Sequence, residues 1–296
     1  MPRLATISKP LVTVMVPFSR NPSPEWAFSF ASILGPMNGT MMLTKIVNKE
    51  RGFARTKLAY DAWKRGSKYG LFIDDDNTVP PNIIRQLLFE FENQDDDVMV
   101  IGGIYTTKTY PPMPLVYQNI GDGPFYRWKF GQVFPCELIA TGMMCIKMEL
   151  FDKLYDPKPI YTGTEITGFE SPWFKEIRGV EEGKKYDLIP QDYEGRNFES
   201  NDDGFFCNLV IKAGYKIMAH GGCLGLHWDD AGTAYAIPDN CYAFKTELQR
   251  KYPDLPKSQE EYEARCMAIY RSLYGYSDFA VKQEQDEVLE KAGTGV

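Results

Sequence analysis

Three consecutive aspartates, Asp74, Asp75 and Asp76, directly follow the apolar run at 71–73. Carboxylates a few ångströms apart raise one another's pKa unless a cation or hydrogen-bond donors hold them ionised. A divalent metal is the natural partner, and Mg²⁺ or Mn²⁺ fills the positions that protein oxygens leave with water and substrate phosphate. The cluster therefore predicts a metal–diphosphate site, although Asp also collects at strand ends because it forms turns.

Two later segments contain residues that could complete such a site. Asp202 and Asp203 begin a predicted helix that ends near Gly214, and an aspartate at a helix start can also serve only as a cap. His227 lies in a glycine-rich stretch, where a lone histidine is either a metal ligand or a structural residue. The sequence thus offers an acidic pair and an imidazole, each with a structural alternative.

Basic residues are concentrated just before the three aspartates. Between positions 45 and 68 the chain has eight of them against two acidic residues. Arg51 and Arg55 stand four residues apart at the start of a predicted helix, so they lie on one face. We expect this pair to contact a nucleotide or the aspartates, the alternative being a solvated helix face.

The segments that must position these residues alternate between strand and helix patterns. Apolar runs at 11–17 and 40–47 predict buried strands, and an apolar stripe at helical spacing predicts a helix over 51–68. A strand then leads into the aspartates, a helix follows Pro81, and further strands are predicted at 98–101 and 137–147. This alternation predicts an α/β fold with a mainly parallel sheet, whose ligands bind at the carboxyl ends of the strands.

Two long irregular segments interrupt this pattern. Residues 105–135 contain eight aromatic residues among many Pro and Gly, and residues 155–198 carry Trp173 and many charges. We interpret the second segment as an acceptor-side lid or, equally, as a structural insertion. Residues 241–296 have the pattern of a helical extension that ends in a polar tail.

The composition bounds the cellular setting. The chain has 296 residues, 44% of them hydrophobic, and a formal net charge of −7, which argues against a broad surface for nucleic-acid phosphates. Its six cysteines form no CxxC pair, which favours a reducing cytosol. We find neither a signal peptide nor an apolar run long enough to span a membrane, so we expect a cytoplasmic protein without membrane insertion.

The order of these parts resembles that of GT-A glycosyltransferases, particularly the family 2-like enzymes, over roughly residues 10–230. In that family an apolar strand ends in a DxD motif, matched here by Asp74-Asp75-Asp76. An ED-type motif that begins a helix is matched by Asp202-Asp203, and a late metal-binding histidine by His227. The three motifs occur in the family's order, which makes the resemblance considerably stronger than a DxD motif alone.

The resemblance implies a GT-A, Rossmann-like α/β fold with a mixed, mainly parallel sheet flanked by helices. It places a catalytic domain at 8–240, with a nucleotide-sugar half at about 8–104 and an acceptor half at about 105–240. The helical extension and polar tail at 241–296 follow that domain. The compact, phage-encoded members of the family are among those that this chain resembles.

The resemblance also implies a function and roles for the candidate residues. The enzyme would move a sugar from a nucleotide-diphosphate sugar, with a UDP-sugar favoured, to a hydroxyl of a glycan, a protein or a hydroxymethylated DNA base. Mn²⁺ or Mg²⁺ would be the cofactor. Asp203 would be the base of an inverting reaction, with Asp202 as the alternative base. The implied metal ligands are Asp74, Asp76 and His227, and the implied donor-binding residues are Arg51, Arg55, Asp74 and Asp75.

Two other classes of protein fit some of the same residues. Asp74 to Thr78 also matches the signature of haloacid-dehalogenase-like phosphatases, in which the first aspartate is a nucleophile. That motif usually lies on the first strand, whereas about sixty residues with two strand patterns precede it here. A non-catalytic, metal-dependent carbohydrate-binding protein is the second alternative, and it predicts metal binding without turnover.

Overall fold

The structure is a computed structural model that describes residues 9–109, 112–120, 122–189, 191, 193–195 and 197–236. The helical extension and polar tail predicted at 241–296 lie outside these residues. In chain order the strands are β1 (Val12–Phe18), β2 (Met41–Val47), β3 (Tyr69–Ile73), β4 (Asn77–Thr78), β5 (Val98–Ile104), β6 (Val116–Tyr117), β7 (Val133–Cys136), β8 (Leu138–Ile139), β9 (Met143–Lys147), β10 (Pro159–Thr162), β11 (Glu165–Phe169), β12 (Ile177–Arg178), β13 (Glu199–Ser200), β14 (Lys216–Leu224), β15 (Leu226–Trp228) and β16 (Ala234–Tyr235). The helices are α1 (Pro24–Ala31), α2 (Arg51–Lys64), α3 (Ile83–Asn93), α4 (Val180–Lys185) and α5 (Asp202–Lys212), with a 3₁₀ helix at Met148–Asp152.

A seven-stranded sheet forms the centre of the fold, in the order β2-β1-β3-β9-β5-β14-β7. Strands β2, β1 and β3 pair in parallel, as do β5 and β14, whereas β9 and β7 run antiparallel to their neighbours. The predicted mixed, mainly parallel sheet flanked by helices is therefore confirmed, and it is consistent with a Rossmann-like GT-A fold.

Apolar residues cover both faces of the central strands of this sheet, because side chains alternate along each strand. The edge strand β2, predicted to be buried, instead exposes Met41, Leu43 and Val47. On β1, Val12, Val14 and Val16 contribute to one apolar layer and Met15 to the other. The layer that includes α3 contains, among others, Ile83, Ile84, Leu87, Leu71 and Ile101. The layer that includes α2 and α5 contains, among others, Leu58, Ala62, Phe72, Trp173, Phe174 and Phe206.

Helix α2 begins where the sequence predicts, because the side chain of Glu50 accepts hydrogen bonds from the amides of Gly52 and Phe53. Its apolar stripe packs on the sheet through Ala54, Leu58 and other buried residues. The helix ends at Lys64, shortly before Gly66, whose φ of 74° turns the chain toward β3. This placement carries Arg55 inward, close to the carboxyl end of β3.

The predicted strand at 137–147 is divided in the structure. A turn at Thr141 and Gly142 separates β8 from β9. A Cβ atom at Gly142 would lie 1.9 Å from Asn77 Nδ2 and 2.6 Å from the Tyr105 hydroxyl, so the turn depends on the absence of a side chain. The division matters because it places the hydroxyl of Thr141 at the same end of the sheet as the aspartates.

Two observations concern the cysteines and the helices of the described residues. The four cysteines within them, Cys136, Cys145, Cys207 and Cys223, are buried free thiols. None of the helices described is both long and apolar enough to cross a membrane.

Candidate functional site

Arg55 lies at the centre of a buried cluster of aspartates at the carboxyl end of the sheet. Its side chain is only 3% exposed. Its Nη1 donates to Asp202 Oδ2 at 2.5 Å and to Asp203 Oδ1 at 2.8 Å, and its Nη2 donates to both oxygens of Asp74 at 3.0 and 2.8 Å. Three carboxylates thus share this arginine, and their combined negative charge exceeds the single positive charge of its guanidinium group. Burial raises the pKa of Asp74, although Arg55 opposes the rise.

Asp203 is held mainly through one of its two oxygens. Its Oδ1 accepts a hydrogen bond from Thr141 Oγ1 at 2.7 Å in addition to the one from Arg55. Its Oδ2 accepts only a long hydrogen bond of 3.5 Å, from Asn201 Nδ2. Burial raises the pKa of Asp203 to about 6, with Arg55 opposing the rise and Asp202 adding to it. A carboxylate with this pKa and a weakly engaged oxygen can accept a proton near neutral pH.

Asp202 is fully buried and does not serve as the cap of α5. Asn201 has that role, since its side chain accepts a hydrogen bond from the amide of Gly204 at 2.9 Å. Asp202 Oδ2 binds Arg55, whereas its Oδ1 is buried without a hydrogen-bond partner. Arg51 Nη1 lies 4.0 Å from this Oδ1, and the Arg51 side chain is 57% exposed. Arg51 therefore lies at the rim of the cluster and Arg55 at its centre.

Asp75 connects the carboxyl ends of two neighbouring strands. Its Oδ2 accepts hydrogen bonds from the backbone amides of Ser19 and Arg20 at 2.5 and 3.0 Å and from the Ser19 hydroxyl at 3.1 Å. Because Ser19 and Arg20 directly follow β1, these bonds fix the loop after β1 against the end of β3. The carboxylate therefore orders a loop beside the candidate site.

Asp76 points in a third direction and faces His227. Asp76 Oδ2 lies 3.4 Å from His227 Nε2 and 3.4 Å from Arg20 Nη2, and it accepts a hydrogen bond from Lys108 Nζ at 2.5 Å. Burial raises the pKa of Asp76, but hydrogen bonds from His227 and Lys108 outweigh it, and the pKa lies well below the usual range. Asp76 is therefore ionised at neutral pH.

The strands around His227 fix the orientation of its ring. Residue 227 on β15 pairs with Asn77 on β4, directly after the aspartates. Its Nδ1 lies 2.7 Å from the carbonyl oxygen of Thr106, which can only accept a hydrogen bond, so we assign the proton to Nδ1. Without a second proton on the ring, Nε2 is an acceptor that faces the Asp76 carboxylate, whereas a protonated Nε2 donates a hydrogen bond to it. Two acceptors in this position need a proton or a metal ion between them.

The donor set at this position fits Mg²⁺ or Mn²⁺. Neighbouring ligands of an octahedral ion with bonds of about 2.1 Å lie about 3 Å apart, which is close to the 3.4 Å between Asp76 Oδ2 and His227 Nε2. No group of three or more His, Cys, Asp or Glu side chains within the described parts of the chain is arranged to hold a metal. Water and phosphate oxygens would have to supply the other ligands, as is usual for these ions.

The structure thus divides the residues that the sequence predicts into three groups. Asp76 and His227 lie together, as expected for shared metal ligands. Asp74 lies instead with Arg55, Asp202 and Asp203, and both of its oxygens contact Arg55. Asp75 contacts the loop after β1. Sequence reasoning did not select Arg20, Lys108 or Thr141, although each follows a predicted strand or interrupts one.

No protein-family model and no curated protein matches this sequence. Among solved structures, A197 from STIV is similar with a TM-score of 0.49 and 11% identity, over 76% of this chain and 89% of that one. GalNAc-T7, solved with UDP, GalNAc and Mn²⁺, is similar with a TM-score of 0.42 and 12% identity, over 73% of this chain and 43% of that one. Because both TM-scores lie below 0.5, neither likeness supports an argument, and the function has to be argued from the site.

Proposed function

We propose that this protein is a glycosyltransferase that moves a sugar from a nucleotide-diphosphate sugar to an acceptor hydroxyl, with Mn²⁺ or Mg²⁺ held by Asp76 and His227. The observation that carries the proposal is the pair of acceptor atoms, Asp76 Oδ2 and His227 Nε2, which face each other across 3.4 Å at the carboxyl edge of the sheet. A cation between them with open positions for phosphate oxygens suits a diphosphate ligand.

The residues around this pair supply the other functions that transfer requires. A bound divalent metal stabilises the negative charge that develops on the departing diphosphate. Asp75 holds the loop at residues 19–20 in place, and Arg20 reaches Asp76 from that loop. The backbone after β1 and the metal-binding pair therefore keep a fixed relation, which orients a nucleotide bound between them.

Asp203 would accept the proton of the acceptor hydroxyl through Oδ2. Arg55 and Thr141 hold Oδ1, which leaves Oδ2 with only the long contact from Asn201. A general base works best when its pKa is close to the working pH, and the pKa of about 6 meets this condition. Proton removal on the face of the sugar opposite the leaving group corresponds to an inverting reaction. Asp202 is the less suitable base, because its unpaired oxygen is buried.

Finer details of the proposal rest on the family resemblance of the sequence. It favours a UDP-sugar as the donor, and a glycan, a protein or a hydroxymethylated DNA base as the acceptor. It also implies Arg51 as a donor-binding residue and Asp74 as a third metal ligand, a role that the contacts of both Asp74 oxygens with Arg55 oppose. The phosphatase alternative needs Asp74 as a free nucleophile, whereas both of its oxygens contact Arg55. We therefore prefer the transferase.

A screen of nucleotide sugars tests the proposal without knowledge of the acceptor, because such enzymes also transfer the sugar slowly to water. We expect the release of a nucleoside diphosphate from one donor in Mn²⁺ or Mg²⁺, and none in EDTA. Asp76→Asn should abolish this release, whereas Asp95→Asn, at an exposed position away from the site, should not. Hydrolysis of simple phosphate esters without release of any nucleotide would favour the phosphatase. Metal binding without turnover would favour a carbohydrate-binding protein.

A further inference from the structure

Lys108 contacts the same oxygen of Asp76 that faces His227. Its Nζ lies 2.5 Å from Asp76 Oδ2, and this Oδ2 is also the atom 3.4 Å from His227 Nε2. Lys108 thus neutralises the carboxylate that the proposed function assigns to the metal, and it does so through the atom that the metal would bind. The two cations compete for one position.

An ammonium group and a divalent ion cannot both stay at this oxygen without strong repulsion. Charges of +1 and +2 a few ångströms apart repel each other strongly at a partly buried site, where water screens them less. Arg20 adds a further positive charge on the same side, 3.4 Å from Asp76 Oδ2. The arrival of a metal must therefore move Lys108, unless an anion arrives as well.

The surroundings of Lys108 allow its side chain to move while its backbone stays in place. The amide of Thr107 donates to the carbonyl of Met113 at 2.8 Å, and Thr106 forms a β-bridge with Pro114. These contacts hold the backbone directly before Lys108 against residues 113–114. The side chain is 24% exposed and has a flexible four-carbon stem with three donors, so its ammonium group can reach a new partner nearby.

We propose that Lys108 neutralises Asp76 in the free protein and that the divalent metal replaces it at this carboxylate. The ammonium group of Lys108 then binds a phosphate oxygen of the donor diphosphate. The inference rests on the proposed function. In the free protein Lys108 opposes metal binding, and in the loaded protein it stabilises the metal–diphosphate complex. Metal and diphosphate should therefore bind cooperatively, and each should raise the affinity for the other by the same factor.

Calorimetry of the full chain tests this exchange with Mn²⁺ and UDP as probes, each titrated alone and in the presence of the other. Lys108→Met removes the charge and keeps most of the stem. We expect it to bind Mn²⁺ alone about tenfold more tightly than the parent, because the competing cation is gone. In saturating Mn²⁺ it should bind UDP about tenfold more weakly, because a charge-assisted hydrogen bond to phosphate is lost. The two effects have opposite signs, which a general loss of structure would not produce.

Two further variants serve as controls. Lys108→Arg keeps the positive charge and should retain weak binding of Mn²⁺ alone. Lys147→Met removes a lysine from the opposite end of the strands, beside the start of β3, where its Nζ lies over the ring of Phe91 at 5.4 Å. This variant should match the parent in all titrations. These variants separate a local exchange at Asp76 from the effect of net charge.

The possible outcomes separate this inference from the function on which it rests. If Lys108→Met binds Mn²⁺ alone with the affinity of the parent while Asp76→Asn loses Mn²⁺ binding, the exchange is refuted and the metal site at Asp76 and His227 stands. If Mn²⁺ binds neither to the parent nor to the variant, with or without UDP, the proposed metal site fails and the exchange fails with it. Tighter Mn²⁺ binding together with weaker UDP binding supports both.

Discussion

Asp203→Asn should stabilise the fold at neutral pH while it lowers the rate of transfer at least about a hundredfold. In the parent, Asp74, Asp202 and Asp203 share Arg55, and burial raises the pKa of Asp203 from its ordinary 3.8 to about 6. An aspartate whose pKa is higher in the folded than in the unfolded protein takes up a proton on folding between these two values. The contribution of Asp203 to stability therefore falls as the pH rises from about 4 to about 6, and it stays low above that range.

The size of the effect follows from the same difference in pKa. A pKa difference of about two units means that the ionised carboxylate of Asp203 lowers the free energy of unfolding by about 3 kcal/mol at neutral pH. Asparagine keeps an oxygen that can accept from Thr141 but loses the ion pair with Arg55, which still binds Asp74. We therefore expect the variant to gain about 1–3 kcal/mol above pH 6 and almost nothing below pH 4.

Urea unfolding at a series of pH values, in EDTA to remove bound metal, measures this difference. The curves of parent and variant should separate between pH 4 and pH 6 and run parallel above that range. Asp95→Asn should leave the free energy of unfolding unchanged across the series, because that side chain is 82% exposed. A variant that is less stable than the parent at pH 7.5 would show that the aspartates around Arg55 are fully compensated, and the reasoning would be wrong.

Three other substitutions test separate parts of the site. His227→Ala should raise the Mn²⁺ concentration needed for release of the nucleoside diphosphate, whereas His220→Gln, at a histidine near Glu90 rather than Asp76, should leave the metal titration unchanged. Thr141→Val should lower the rate of donor turnover about tenfold with little change in donor affinity. Thr141→Ser should restore the rate, because the hydroxyl is the group of Thr141 that contacts the carboxylate of Asp203. Gly142→Ala should lower the free energy of unfolding in urea by at least about 2 kcal/mol, because its Cβ would overlap Asn77 Nδ2; a parent-like value would contradict the close packing of this turn.

The fold, and the end of the sheet at which the candidate residues meet, could be predicted from the sequence, because both depend on periodicity and strand direction. Alternating strand and helix patterns give a mainly parallel sheet, and the carboxyl ends of its strands meet at one edge. Arg20, Asp76 and Lys108 are far apart in the chain, yet each follows a strand of this sheet and they meet there. Lys108 could not be selected beforehand, since it is one of 33 basic residues and shows its role only by its distance to Asp76.

The partner of each aspartate could not be predicted, because the backbone turn after β3 decides it. Three adjacent carboxylates suggest mutual repulsion that a shared metal relieves. The structure separates them instead: Asp74 turns to Arg55, Asp75 to the amides of Ser19 and Arg20, and Asp76 to Lys108 and His227.

These partners differ in how readily a substrate can replace them. Arg55 is buried on a helix, and the amides that bind Asp75 belong to the backbone, so both sets of contacts are fixed. Lys108 reaches Asp76 through a flexible, partly exposed side chain. Of the three aspartates, Asp76 is therefore the one whose partner a metal and a diphosphate can displace without unfolding a helix or a loop.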